Sequence, residues 1–169
     1  DNLEGFKPYL RLEGLVYRIV GDSSIKYSET IGPETNVEET EDFFYKKMRY
    51  TGIFYPEDFP FLSRIIPDFE RRKREGEFVN YRVYKDENTM RLLTNYAAGL
   101  FSLGIEYQRE NQMVKTKEAW RWALLFRPER DFPFLYNLSL LYLQNGDYDS
   151  CLIYLQHAER KGFKNADLY

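Results

Sequence analysis

The chain has 169 residues, is 43% hydrophobic and 30% charged, and carries a formal net charge of −3. That is enough apolar material for one core, or for one domain with an appendage, and the charge balance gives no reason to expect nucleic acid. One cysteine, Cys151, and one histidine, His157, exclude an internal disulfide and the usual zinc ligand sets, and no stretch approaches the roughly 20 apolar residues of a membrane helix. The aromatic content is high, with 15 Tyr, 13 Phe and 2 Trp, so many tyrosine hydroxyls must sit at half-buried seams where partners are in reach. The chain opens at Asp1, without methionine and within sequence that reads as folded, so a longer parent protein is expected.

In chain order, residues 7–20 are rich in strand formers. Leu10 and Leu12 alternate with Arg11 and Glu13, and Gly14 marks a bulge or bend. Gly21 to Pro33 reads as a polar loop. Asn36 is placed to cap a helix running to about Tyr50, with Glu38, Glu39 and Glu41 at its positive end and Lys46, Lys47 and Arg49 at its negative end. Its apolar side is Phe43, Phe44 and Met48, and Gly52 ends it. Pro56 to Pro60 breaks the chain. Pro60 opens a short helix to Ile66, and Pro67 a second to about Glu75. Within the second, Arg71-Arg72-Lys73-Arg74 is the one basic run. It reads as a solvated helix end, flanked by Glu70, Glu75 and Glu77, or as a surface for phosphate or lipid head groups. Phe78 to Tyr84 reads as a strand able to pair with residues 10–20.

Asp86 caps a long helix whose Met90, Leu93, Ala97, Leu100, Gly104 and Tyr107 keep a seven-residue rhythm. Helices at about 115–127, 133–144 and 147–161 follow. Leu100, Leu103, Gly104 and Tyr107 share one helix face; Trp120 and Ala123 share the next; Pro128 stops it. Gly104 lets the two backbones approach. The small residue expected early in the second helix is Thr116. A second copy follows: Leu135, Leu138, Ser139 and Tyr142, a turn at Asn145-Gly146-Asp147, then Tyr148, Cys151, Leu155 and Ala158. Leu100 to Leu135 is 35 residues. This spacing resembles the tetratricopeptide repeat, a helix–turn–helix unit of about 34 residues. Asn165 to Tyr169 begins a third, incomplete copy. The seam is expected to seal Tyr107, Trp120, Tyr142 and Leu155 between layers.

The segment Tyr9-Leu10-Arg11-Leu12-Glu13-Gly14-Leu15-Val16-Tyr17-Arg18-Ile19-Val20 resembles a motif of a bacterial family of many-spanning membrane proteins, the protein O-mannosyltransferase-like proteins with a domain of unknown function. In that family the motif follows the membrane region. A helix comparable to Phe43–Tyr50, a segment like Val83-Tyr84-Lys85-Asp86-Glu87-Asn88 and closing helical repeats come next. Ile53 to Asn80 departs from the pattern by its length. The resemblance implies a preceding glycosyltransferase-type membrane region and a place on the outer side of the cytoplasmic membrane, periplasmic or extracytoplasmic. It carries over no catalytic residues. Without it, a cytoplasmic location is expected.

The expected fold class is therefore mostly α. Tetratricopeptide-like helical hairpins, two repeats plus a long leading helix, occupy residues 87–169. An N-terminal α+β segment with a short two-stranded pairing occupies residues 1–86 and packs on the repeats. No catalytic, cofactor or metal site is expected. Glu38, Glu39, Glu41, Asp147 and Asp149 lie at helix starts or turns, where acidic residues belong. The candidate groove is Phe101, Ile105, Gln108 and Arg109 of one hairpin, then Tyr136, Leu140 and Leu143 of the next. Its occupant is residues 1–86, the protein's own membrane region or another protein. The expected function is a non-catalytic accessory or interaction domain. The alternatives are a free-standing adaptor for a protein segment and a carbohydrate-contacting domain.

Overall fold

The computed structural model describes residues 9–21, 34–54, 56–78, 86–126 and 132–160. The chain divides into two compact units, residues 1–82 and 83–169. Its described part is mostly helical, with one small mixed sheet near the N-terminus.

In the first unit, residues 7–20 form two strands where a single bent one was expected. β1 (Leu10–Glu13) and β2 (Val16–Ile19) are antiparallel, with Leu10 opposite Ile19 and Glu13 opposite Val16. Gly14 turns the chain with φ 65°, a conformation that favours glycine, and a Cβ there would press on the Phe43 ring. Its amide donates to Thr40 Oγ1 at 3.0 Å. β3 (Glu34–Thr35) lies parallel to β1, giving the order β2-β1-β3. Leu10 and Leu12 are buried and Arg11 and Glu13 half-buried, as a period of two requires, whereas every residue of β2 is exposed.

Asn36 caps α1 (Val37–Glu41), its side chain accepting from the Glu39 amide at 3.3 Å. The helix then widens into a π-helix, Asp42–Lys47, and stops at Met48, short of the expected Tyr50. The Met48 amide donates to Phe43 O at 2.8 Å, five residues back, and Met48 itself is extended. The chain folds over this end. Tyr50 is fully buried, and its hydroxyl donates to the Phe44 carbonyl. A short 3₁₀ turn (Pro56–Asp58) leads into α2 (Phe59–Ile65), with Pro60 in its first turn where a missing amide does no harm. α3 (Phe69–Arg74) follows. Phe78, expected to open a strand, instead sits in a turn and is buried against Phe69 and Tyr50 at ring distances of 4.5 and 5.8 Å. The rest of that expected strand, 79–84, lies outside the described residues, as do most of the expected loop (22–33) and the expected third-copy start (165–169).

Arg72 ties this unit together. Its side chain is 7% exposed and meets a nearly buried Glu77 in a two-bond ion pair. It also donates to Tyr45 O at 2.6 Å and Met48 O at 2.7 Å, carbonyls at the end of the π-helix. A helix end leaves carbonyls without partners, and a guanidinium with five donors is well matched to them.

In the second unit, Asp86 caps α4 (Glu87–Arg109), accepting from the Thr89 amide at 2.8 Å. α5 (Met113–Leu125) packs on α4 and also on α6 (Phe132–Gln144), and α6 packs on α7 (Tyr148–Arg160). All begin and end within two residues of expectation. The two hairpin turns repeat each other. In the first, the Gln112 amide donates to Tyr107 O at 2.8 Å with Asn111 left-handed at φ 58°; in the second, the Asp147 amide donates to Tyr142 O at 3.0 Å with Gly146 at φ 71°. The next helix opens alike in both, Thr116 N to Gln112 O and Cys151 N to Asp147 O. Each pair of equivalent residues is 35 apart, the period expected from the apolar spacing.

Candidate functional site

The second unit is organised around one indole. Trp120, 2% exposed, lies against Gly104, where a Cβ would overlap its ring, and its Nε1 donates to Phe101 O at 3.0 Å. The glycine was expected to let two backbones meet. It instead makes a slot for a side chain. Thr116, at the expected small-residue position, is buried, and its hydroxyl donates back to Gln112 O at 3.2 Å, which makes a polar residue tolerable there. Trp120, Leu138, Leu141, Tyr142 and Cys151 form one buried cluster that crosses from the first hairpin to the second. Tyr107, Trp120 and Tyr142 are buried as expected; Leu155 is half-buried against the same cluster.

The seven groove positions do not share one environment. Phe101 and Ile105 pack against the cluster, Phe101 with its ring stacked on Trp120 at 5.2 Å between centroids. They belong to the seam as much as to any surface. Gln108, Tyr136 and Leu140 are half-buried. Arg109 is exposed and paired with Glu106 at 2.6 Å. Leu143 is exposed, at 47%. The larger apolar exposure in this unit lies elsewhere, on α7, where Tyr148, Leu152 and Ile153 are 69, 55 and 63% exposed. A signal for it exists in the sequence. The inner face of α7 is fully accounted for by Cys151, Leu155 and Ala158, so Leu152 and Ile153 are surplus apolar residues off that stripe.

The chemistry-bearing side chains have ordinary structural work. Asp147 caps α7, its Oδ1 accepting from the Ser150 amide at 3.1 Å. Cys151 is buried; burial first, and then the Asp147 carboxylate, pushes its thiol above the usual range, which keeps it protonated and unreactive. His157, Glu38, Glu39 and Asp149 are exposed. Among the described residues there is no group of three His, Cys, Asp or Glu that could hold a metal ion, and no helix long and apolar enough to cross a membrane. Comparison with family models, curated proteins and solved structures returns no match for this chain.

Proposed function

We propose that this chain is a non-catalytic interaction module built on tetratricopeptide-like repeats. It serves as the accessory domain of a membrane glycosyltransferase-like protein on the outer side of the cytoplasmic membrane. The observation that carries the interaction reading is the contrast within the last hairpin. Its inner face is sealed around Leu138, Leu141 and Tyr142, while Leu143, Tyr148, Leu152 and Ile153 stand in solvent. Large apolar side chains grouped on the outside of a folded unit favour contact with another protein surface. The parentage rests on the resemblance of residues 9–20 and of the element order.

Two measurements test this. A photo-crosslinking amino acid at Leu152 or Ile153 in the native host is expected to trap a protein, either the parent's own membrane region or a separate partner. An exposed control at Arg64 is expected to trap none. If both positions behave alike, the interaction reading fails. The gene sequence upstream of Asp1 is expected to encode many apolar spans, and their absence would leave the free-standing adaptor as the surviving form. Carbohydrate contact is less well supported. Among the described residues, the exposed tyrosines are Tyr9 just before β1, Tyr17 on β2 and Tyr148 on α7, with no two on one element.

A further inference from the structure

The basic run of α3 meets a second basic segment. Lys46 and Lys47 close the π-helix, Arg49 follows it, and Arg71 and Arg72 come from α3; together they line a cleft of about 380 Å³. Two carboxylates, Glu75 and Glu77, share that lining. Glu77 is committed to the buried Arg72, and Glu75 to Arg71 at 3.0 Å. Outside the lining, Asp42 holds both Lys47 and Lys46, at 2.5 and 3.2 Å, and Glu39 reaches Lys47 at 3.9 Å. Arg49 is exposed and has no ion-pair partner among the described residues.

Three features favour an anion here. Arg49 adds to the concavity a cation that no carboxylate among the described residues answers, and an anion would balance it. The cations are positioned: Asp42 and the Asp68–Glu75 pair hold Lys46, Lys47 and Arg71, yet each ammonium and guanidinium has more donors than these carboxylates use. The helix end that would repel an anion is also masked, because Arg72 takes the Tyr45 and Met48 carbonyls. A π-helix segment of this kind is uncommon and is frequent at functional sites.

We propose that this cleft binds a phosphate-type dianion, a phosphomonoester or a pyrophosphate, with Arg49 and the two lysines facing Arg71 across it. The group is carried by a soluble molecule or by a lipid head group, and the site is independent of the interaction surface on α7.

The test uses the whole chain. Inorganic pyrophosphate is titrated by calorimetry, and sedimentation is measured with phosphatidylcholine vesicles with and without phosphatidic acid. Saturable binding to pyrophosphate, to the phosphatidic-acid vesicles or to both is expected. Arg49→Glu is expected to weaken it about tenfold and Arg49→Gln about threefold, as loss of a charge-assisted contact does. Arg64→Glu, the same charge change at an exposed position on α2, is expected to leave it within about twofold. Binding to pyrophosphate alone assigns a soluble ligand; binding to the vesicles alone assigns a lipid. The proposal is overturned if neither probe binds, or if Arg64→Glu weakens binding as much as Arg49→Glu. Circular dichroism confirms that the Arg49 variants are folded, so loss of binding reports the site.

Discussion

Both units bury apolar side chains, but their elements are joined in different ways. The second is long helices meeting along apolar faces, with Trp120 seated against Gly104 and its neighbours sealed around it. The first is short elements that would not hold a shape alone. A polar clasp joins them: Arg72 bonds to Glu77 and to two carbonyls of another segment, and Gly14 donates to Thr40. Periodic apolar packing gives stability that is spread over many contacts. A clasp concentrates it in a few groups, so a single change does more damage.

The sharpest way to break the contrast is Arg72→Met. It leaves Glu77 and two carbonyls buried without a partner, and about 3–5 kcal/mol of the first unit's stability is expected to go. Hydrogen exchange read by mass spectrometry should show protection lost across 36–54; protection retained there would mean the clasp is dispensable. Gly104→Ala comes next, at about 2 kcal/mol, because the indole must move out of its slot. Both tryptophans are in the second unit, so a red-shifted emission should report it directly. Asn36→Ala removes a helix cap and is expected to cost about 1 kcal/mol, seen as faster exchange in α1.

Acid distinguishes the units more gently. Hydrogen bonds from Lys47 and then Lys46 hold the Asp42 carboxyl below its usual value of 3.8. The folded value being the lower, this pair contributes stability above pH 3.8, and the contribution is lost as pH falls through the depressed value. In the second unit the same sign applies to Asp86, lowered by its bonds to Thr89, so only the first turn of α4 is expected to loosen there. An NMR pH titration should show the π-helix responding while the Trp120 indole resonance stays fixed. The smallest effect is expected from Leu152→Ser, within about 0.5 kcal/mol, because the side chain already stands in water. A large loss would mean that face is part of the core rather than an outer surface.

The same contrast explains what could be read from the sequence. The helices after Asp86 were legible because their signals are local: a cap at Asp86, a stripe at helical spacing, a turn at Gly146. The matching turn at Asn111 was harder to see, since asparagine is a weaker left-handed marker than glycine. Phe101 and Ile105 were assigned to the groove because the helix that carries them is apolar on more than one face, and spacing alone does not say which face meets the next hairpin. In the first unit the decisive partners are remote. Arg72 looked like one member of a solvated run, yet its carbonyl partners lie 24 and 27 residues away. Gly14 reads as a bulge or bend in one strand because nothing nearby announces the return strand, and the widening of the helix at Asp42 has no residue signature of its own.

That widened coil has a consequence for how this stretch tolerates change in length. Its looser winding brings both the fourth and the fifth residue after Asp42 back over the same carboxylate. Removing a single residue from 42–47 would let an ordinary α-helix form, turning all that follows by about 100° about the axis. Met48 would leave the core and Arg49 would swing away from α3. Alanine at the exposed Lys46 and Lys47 should be absorbed far more readily than a one-codon deletion, so a deletion scan should find the whole stretch intolerant where an alanine scan finds the buried Phe44 the most sensitive position.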